Sequence, residues 1–391
     1  MNLRTLLPLA AATLAGQAAS AQVFCRPITW FNPTGASTAP YSCVAAAYCA
    51  TPLGQTLNIR NGAYNERVTF NKSAQITSTN GPAVIGLNPA DAVSLKVVTF
   101  NTHLFGSFPL PVWQDQDRAI AIGNYLSQQR QNGLDIAGLQ EVWATDRWDD
   151  IRTRAGFPGF GYGGRIDGAG TQNSGLAILS AHPISGGTQV SYNDERGNDA
   201  SATKGFLVQT ITKGNFEIGV FITHTQSGSG TNDANTRASQ FAQLASTIQV
   251  YKNLRPSNPV IVMGDFNAKD ISVEYTAIMS NQFGGVSGVA DLALNLACLG
   301  DGTQCTTCND NVVRQAFGGS GNDRIDYIMY GNSLDGTVRI IPKVYDVRRP
   351  TSPTAISGTG WDPEAFLDFQ LTSNLLSDHE AIYAEFEVTR P

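Results

Sequence analysis

The chain has 391 residues, of which 42% are apolar and only 15% charged, with 39 glycines. That is enough apolar content for a sizeable core, and the charge is well under the ~25% of an average domain, which fits a β-rich, exported protein. The net charge of −6 argues against a protein built to coat nucleic acid, and no run after the N-terminus approaches the ~18 apolar residues a membrane span needs.

Residues 1–21 read as a secretory signal. Arg4 gives the positive start, Leu6 to Ala15 the apolar core, and Ala19-Ser20-Ala21 the small-residue cleavage site. A secreted, extracellular chain beginning at Gln22 is expected, with net charge −7 once Arg4 leaves. The six cysteines fall as Cys25, Cys43 and Cys49, then Cys298, Cys305 and Cys308. Three and three cannot all pair within their own clusters, so one bridge joins the clusters or each keeps a thiol. Cys305-Thr306-Thr307-Cys308 has the spacing of a metal pair, a redox pair or a loop staple; export favours the staple.

Residues 22–92 are rich in Thr, Ala, Asn and Pro. From Leu57 to Gly86 they read as short strands, like one or two rungs of a parallel β-helix, too few to stand alone. They form a β-rich accessory segment with a boundary near Asn88 to Ser94, leaving 93–391 as the main domain. There, strands are expected at Lys96–Phe100, Leu134–Leu139, Leu176–Leu179, Phe206–Ile211, Phe216–Thr223, Val260–Met263, Ile325–Tyr330 and Ala381–Val388. Helices are expected at Asp117–Asn132 and Ala234–Leu254. Strands, helices and hairpins mix, so the sheets are mixed rather than parallel.

The chemistry gathers at strand ends. Lys-Val-Val-Thr-Phe ends in Asn101, Ile-Ala-Gly-Leu-Gln in Glu141, and Gly-Val-Phe-Ile-Thr in His224. Val-Ile-Val-Met-Gly ends in Asp265 and Asn267, which leave the same face of an extended backbone. An Asx turn closing the strand is the bland reading of that pair. Asp378 and His379 precede the last strand, so an antiparallel strand starting where its neighbours end puts all of these on one rim. Hard oxygen ligands there suit Mg²⁺, Mn²⁺ or Ca²⁺. The other histidines, His103 and His182, have no such context and read as structural or surface residues.

The motifs Thr99-Phe100-Asn101, Leu139-Gln140-Glu141, Gly264-Asp265-Phe266-Asn267, Arg324-Ile325-Asp326-Tyr327-Ile328 and Ser377-Asp378-His379 together resemble the endonuclease/exonuclease/phosphatase superfamily, in its order, over roughly residues 95–388. That resemblance implies a four-layer α/β sandwich: two mixed β-sheets face to face, helices outside. Lys204-Gly205-Phe206 and His224-Thr225-Gln226-Ser227 are similar to segments of neutral sphingomyelinases, and the export signal fits the exported bacterial members. Residues 22–92 and the second Cys cluster depart from that pattern.

The resemblance implies metal-assisted hydrolysis of a phosphodiester by in-line attack of water. His379 is the expected general base, oriented by Asp326. Glu141 is expected to bind the metal, with Asn101 on or beside it. Asp265 and Asn267 fix the attacking water and a second metal, Asp378 is a further ligand, and His224 donates to the phosphoryl oxygen. Lys204 is a weaker candidate for a phosphate or support contact. The implied substrate is sphingomyelin or another phospholipid at a membrane surface, met by a peripheral, monomeric protein. The alternatives are a secreted nuclease with nucleic acid as partner, and a non-catalytic surface-binding protein on this fold. Between Tyr330 and Asp378 lies a long insertion with Trp361, Phe366, Leu367 and Phe369, which either dips into lipid, as an aromatic hairpin does in the exported sphingomyelinases, or fills a core. Arg348-Arg349 either attracts anionic headgroups or is solvated.

Overall fold

A computed structural model describes residues 29–31, 44, 47–48, 51–65, 68, 70, 72–86, 92–105, 113–164, 173–293, 305–362 and 367–390. The expected leader, Cys25, Cys43, Cys49, Cys298 and Phe366 lie outside them.

Strands β1 (Thr29–Phe31), β2 (Thr56–Asn65) and β3 (Gln75–Gly86) form a three-stranded sheet. β1 runs antiparallel to β2, while β2 and β3 are parallel, with Thr56 opposite Gln75. The parallel pairing is the one a β-helix rung requires. Val44, Ala47, Tyr48, Leu57, Ile59 and Tyr64 pack into a small core of their own there.

The remaining strands build two six-stranded sheets and a hairpin. The first sheet uses β4 (Ala92–Leu104), β5 (Ile136–Val142), β6 (Gly159–Tyr162), β7 (Ala177–Ser180), β14 (Arg339–Arg348) and β17 (Ala381–Thr389). Its order is β14-β17-β4-β5-β7-β6. The second uses β8 (Ile184–Ser191), β9 (Gly205–Lys213), β10 (Phe216–His224), β11 (Val260–Asp265), β12 (Ala290–Asp291) and β13 (Asp326–Gly331), in the order β12-β13-β11-β10-β9-β8. Both mix parallel and antiparallel pairs: β4 with β5 and β10 with β11 are parallel, the others antiparallel.

Alternation along each strand sorts side chains between two cores. Leu95 and Val97 of β4, with Ile261 and Met263 of β11, join the core between the sheets. Val98 and Phe100 turn outward onto α1 (Asp115–Gln131) and α2 (Thr145–Ala155), meeting Ile122, Leu126, Trp148 and Ile151. Val260 and Val262 turn outward on the other side, against Phe241, Leu244 and Ile248 of α3 (Thr231–Leu254). Each such side chain contributes roughly 1.5–3 kcal/mol by leaving water. Helix, sheet, sheet and helix are the four layers expected.

α3 starts three residues earlier than its apolar pattern suggests because the Asp233 carboxylate accepts the Gly230 N–H (3.0 Å) and caps the first turn. The insertion after Tyr330 is largely sheet: β14 adds to the edge beside β17, and β15 (Thr351–Asp362) pairs with β16 (Leu367–Leu375) as a separate hairpin. Phe369 packs edge-on against Phe317 (5.0 Å between ring centres) within the outer core, which favours the core-filling reading for that residue. Arg348 pairs with Asp346 over the Tyr383 ring, and Arg349 with Asp310 and Glu380, so both hold ion pairs within the chain. Among the described residues, no helix is long and apolar enough to cross a membrane.

Candidate active site

Strand register places three acid–base side chains in one row. His224 at the end of β10 stands opposite Asp265 of β11, and Asp265 opposite Asp326, the first residue of β13. Gly264 makes the close approach possible: its φ is +148°, and a Cβ there would lie 1.9 Å from the Thr223 carbonyl oxygen. The first sheet faces this row with Asn101 of β4, Glu141 of β5 and His379 just ahead of β17.

The two rows meet. The Asn101 amide donates to Glu141 Oε1 (2.8 Å) and to Asp265 Oδ2 (3.0 Å), while its oxygen accepts the His103 N–H (3.1 Å). Asp265 Oδ1 accepts the Asn267 N–H (2.8 Å), closing the Asx turn after the strand. The turn and the shared placement of the two side chains coexist. Among the described residues, the non-glycine residues with left-handed backbone are His103, Gln114, Glu141 and Asn267, and three of these lie here. Such conformations cost free energy and gather at functional sites.

His379 Nδ1 lies 2.8 Å from Asp326 Oδ2, and its Nε2 is 3.9 Å from Asp265 Oδ2. Burial opposes charge on the ring, but Asp326, Asp378 and Asp265 outweigh it and hold the His379 pKa well above the ordinary value. Asp265 is raised to about 7, first by burial and then by Asp326. His224 goes the other way: burial, then Lys204 and His379, keep it neutral.

Lys204 is buried behind His224 rather than open to a ligand. Its ammonium donates to the Thr225 carbonyl (2.8 Å), pairs with Asp199 (3.1 Å) and lies 3.2 Å from His224 Nε2. This is the support contact of the two uses considered. An ammonium has only donors, so His224 Nε2 accepts here and the ring's own proton sits on Nδ1. His224 Nε2 does face the site, 3.9 Å from Glu141 Oε1 and 3.7 Å from Asp265 Oδ2, but in this arrangement it carries no proton to donate.

Asp378, expected among the ligands, turns instead to His103, with Oδ1 3.0 Å from its Nδ1, and accepts the Ser377 hydroxyl. Burial resists its ionisation, but His103 and His379 overcome that and push its pKa down. His103, read from sequence as a structural or surface residue, instead joins the site through Asp378, its ring packed against Phe105 and Phe317. Arg118 fixes this corner through the backbone carbonyls of Thr102, His103, Trp113 and Leu376. His182, by contrast, pairs with Asp135 away from the rim, the structural role expected of it. Trp143, two residues beyond Glu141, walls the site with its ring 6.1 Å from that of His224. No sequence pattern announces Trp143 or Arg118; the two-residue spacing of His103 from Asn101 was the one available signal.

Among the described residues, two groups of side chains could hold a cation: Glu141, His224 and Asp265, and Asp265, Asp326 and His379, each with its ligand atoms within 4.8 Å of one another. Several observations fit a hard divalent ion. The donors are mainly carboxylate oxygens with a neighbouring amide, buried Asp326 Oδ1 has no hydrogen-bond partner, and Asp265 is driven toward protonation by its burial and then by the neighbouring Asp326. The Cys305–Cys308 pair is a disulfide, not a metal pair, in agreement with the staple reading.

The family model for "Endonuclease/Exonuclease/phosphatase family" matches residues 98–379. Sphingomyelinase C of Bacillus cereus is 27% identical over 222 residues, which cover 51% of this chain and 64% of that protein. The chain thus spans less than two thirds of that relative's length. The crystal structure of sphingomyelinase C from Streptomyces griseocarneus aligns with a TM-score of 0.58 at 23% identity, over 75% of this chain and 99% of the other. A substituted beta toxin from Staphylococcus aureus, crystallised with bound magnesium ions, aligns with a TM-score of 0.61 at 20% identity, over 75% and 99% of the two chains. At these identities the structural likenesses establish the fold.

Proposed function

This chain belongs to the endonuclease/exonuclease/phosphatase family, and we propose that it is an exported, metal-dependent phosphodiesterase that hydrolyses sphingomyelin to ceramide and phosphocholine. The observation that carries the reading is the His379–Asp326 pair (2.8 Å) set against a cluster of Asn101, Glu141 and Asp265. The pair is a base with an orienting carboxylate, and the cluster is an oxygen-rich place for a phosphoryl group and its cation.

Glu141 and Asp265, with Asn101 beside them, would hold Mg²⁺. When bound, that ion supplies positive charge at the phosphoryl and leaving oxygens and offsets the carboxylate charge around His379. Asp265 and Asn267 hold the attacking water. His379 takes its proton at Nε2, and Asp326, bonded to Nδ1, keeps the ring in the required tautomer and stabilises the imidazolium formed. His224 faces the phosphoryl oxygen; to donate there its ring exchanges its bond with Lys204. Such a donor, placed before charge develops, contributes about 3 kcal/mol.

Lipid as the substrate class is supported by the sphingomyelinase C relative, by the Lys204-Gly205 and His224-Thr225-Gln226 segments, and by the acidic net charge. Ile271, on the loop that follows Asn267, and Val273, the first residue of the short helix after it, are 89% and 88% exposed, which suits contact with an apolar surface more than with nucleic acid. Residues 22–92 serve as an accessory segment to this domain. The test incubates purified protein with sphingomyelin vesicles and, separately, with plasmid DNA, each with Mg²⁺ and with EDTA. Mg²⁺-dependent phosphocholine release is expected; DNA nicking without phosphocholine release would overturn the lipid reading.

A further inference from the structure

The second cysteine cluster has no place in the mechanism, yet its loop touches the backbone beside both members of the His379–Asp326 pair. The side chain of Thr306, fully buried, accepts hydrogen bonds from the Ile325 and Asp326 N–H groups, both 3.1 Å. Its carbonyl accepts the N–H of Glu380, the residue after His379, at 2.7 Å. Asp326 opens β13 in one sheet, and His379 precedes β17 in the other. Thr306 is therefore a pin between the sheets at the level of the pair.

The pin is itself held. The N–H groups of Thr306 and Thr307 donate to the Asp323 carbonyl at 2.9 and 3.0 Å. Five residues on, Asn311 donates to the Ser377 carbonyl (3.1 Å) and to Glu380 Oε1 (3.3 Å). The Cys305–Cys308 bridge closes the chain around Thr306 and Thr307. A loop that merely stapled the surface would not place its buried hydroxyl and carbonyl on these two strand ends.

We propose that Thr306, held in place by the Cys305–Cys308 bridge, is a positioning residue that sets His379 against Asp326, so that opening the bridge lowers activity. The chemistry is a two-electron step: an external dithiol gives two electrons and two protons to the S–S bond, leaving two thiols, and closes to its own disulfide. Cys305 is partly exposed, which gives a dithiol access. The activity arm rests on the phosphodiesterase reading above; the positioning arm does not.

The test uses the full exported chain with Thr306→Val, Thr306→Ser and the double variant Cys305→Ser/Cys308→Ser. Valine keeps the branched shape but loses the acceptor; serine keeps the acceptor. Thr306→Val is expected to lower kcat about 10–100-fold, the scale of a small misplacement of a reacting group, with KM nearly unchanged, and Thr306→Ser to restore most of it. The double variant is expected to match wild-type protein treated with a dithiol and to be insensitive to further dithiol. Without substrate, the downfield proton resonance of the His379 Nδ1–H is expected in wild type and Thr306→Ser and lost in Thr306→Val. If the wild type hydrolyses no phosphodiester while this pattern of resonances holds, the functional reading fails and the positioning role stands. An unchanged resonance in Thr306→Val, or a double variant as active as wild type, would overturn the proposal.

Discussion

Replacing Asp326 by Asn tests the mechanism at its most constrained contact. The Asp326 carboxylate lies 2.8 Å from His379 Nδ1, and both groups are buried. A unit charge pair at that separation is worth about 6 kcal/mol at an effective dielectric constant near 20, an upper bound on what the carboxylate does for an imidazolium formed beside it. Asparagine keeps the shape but removes the charge, and its amide can bond Nδ1 with its NH₂ group, which stabilises the wrong tautomer. If half of that bound reaches the transition state, the loss is about 3 kcal/mol; if two thirds, about 4 kcal/mol, at roughly 1.36 kcal/mol per tenfold in rate. The expected fall in kcat is therefore about 10²–10³-fold with KM nearly unchanged, read as phosphocholine release from sphingomyelin vesicles in saturating Mg²⁺. A thermal melt on the same sample separates this from unfolding. A folded Asp326→Asn protein that keeps more than about a tenth of the wild-type kcat would refute the orienting role of the pair.

Other outcomes follow from the same site. His379→Ala removes the base and is expected to cost at least as much as Asp326→Asn; a variant with most of its activity would mean another group takes the proton. Glu141→Gln is expected to raise the Mg²⁺ concentration needed for half-maximal activity tenfold or more, checked by metal titration after EDTA treatment. In metal-free protein Asp265 has a pKa of about 7 against an ordinary 3.8, so the folded state binds the extra proton between those values and stability falls as pH rises through that window. His379, raised, contributes with the same sign, whereas Asp378, lowered, loses its contribution only in strong acid. The melting temperature in EDTA is therefore expected to drop between pH 5 and about 7.5, with Mg²⁺ restoring it most at the upper end; the opposite slope would contradict the burial of Asp265 beside Asp326. Ile271→Glu/Val273→Glu is expected to weaken binding to sphingomyelin vesicles while sparing hydrolysis of a soluble phosphodiester, and equal loss on both substrates would remove these two residues from the lipid-facing surface.

Much of this architecture is a local property of the chain. Apolar runs such as Val260–Met263 and Ile218–Ile222 become strands because alternate residues face different cores, and that alternation is written residue by residue. The polar residue that ends each run is equally local, so Asn101, Glu141, His224, Asp265 and Asn267 could be read together, and the family motifs ordered them with Asp326, Asp378 and His379. Other features have no local signature. The partnership of His103 with Asp378 joins β4 to the approach of β17, residues 275 positions apart in the sequence numbering (378 − 103). The Lys204 side chain could have faced phosphate; the pairing of Gly205 with His224 across β9 and β10 buries it instead.

The sequence by itself determined which residue types stand at the strand ends, because hydrophobic period and turn chemistry act over a few residues. Only the tertiary structure decided which of them face one another. His224, Asp265 and Asp326 form a row through strand register, and Asn101, Glu141 and His379 meet that row because two sheets pack face to face. A pairing distance depends on that packing, and so do the charges: burial and neighbours drawn from both sheets push Asp265 up and His224 down.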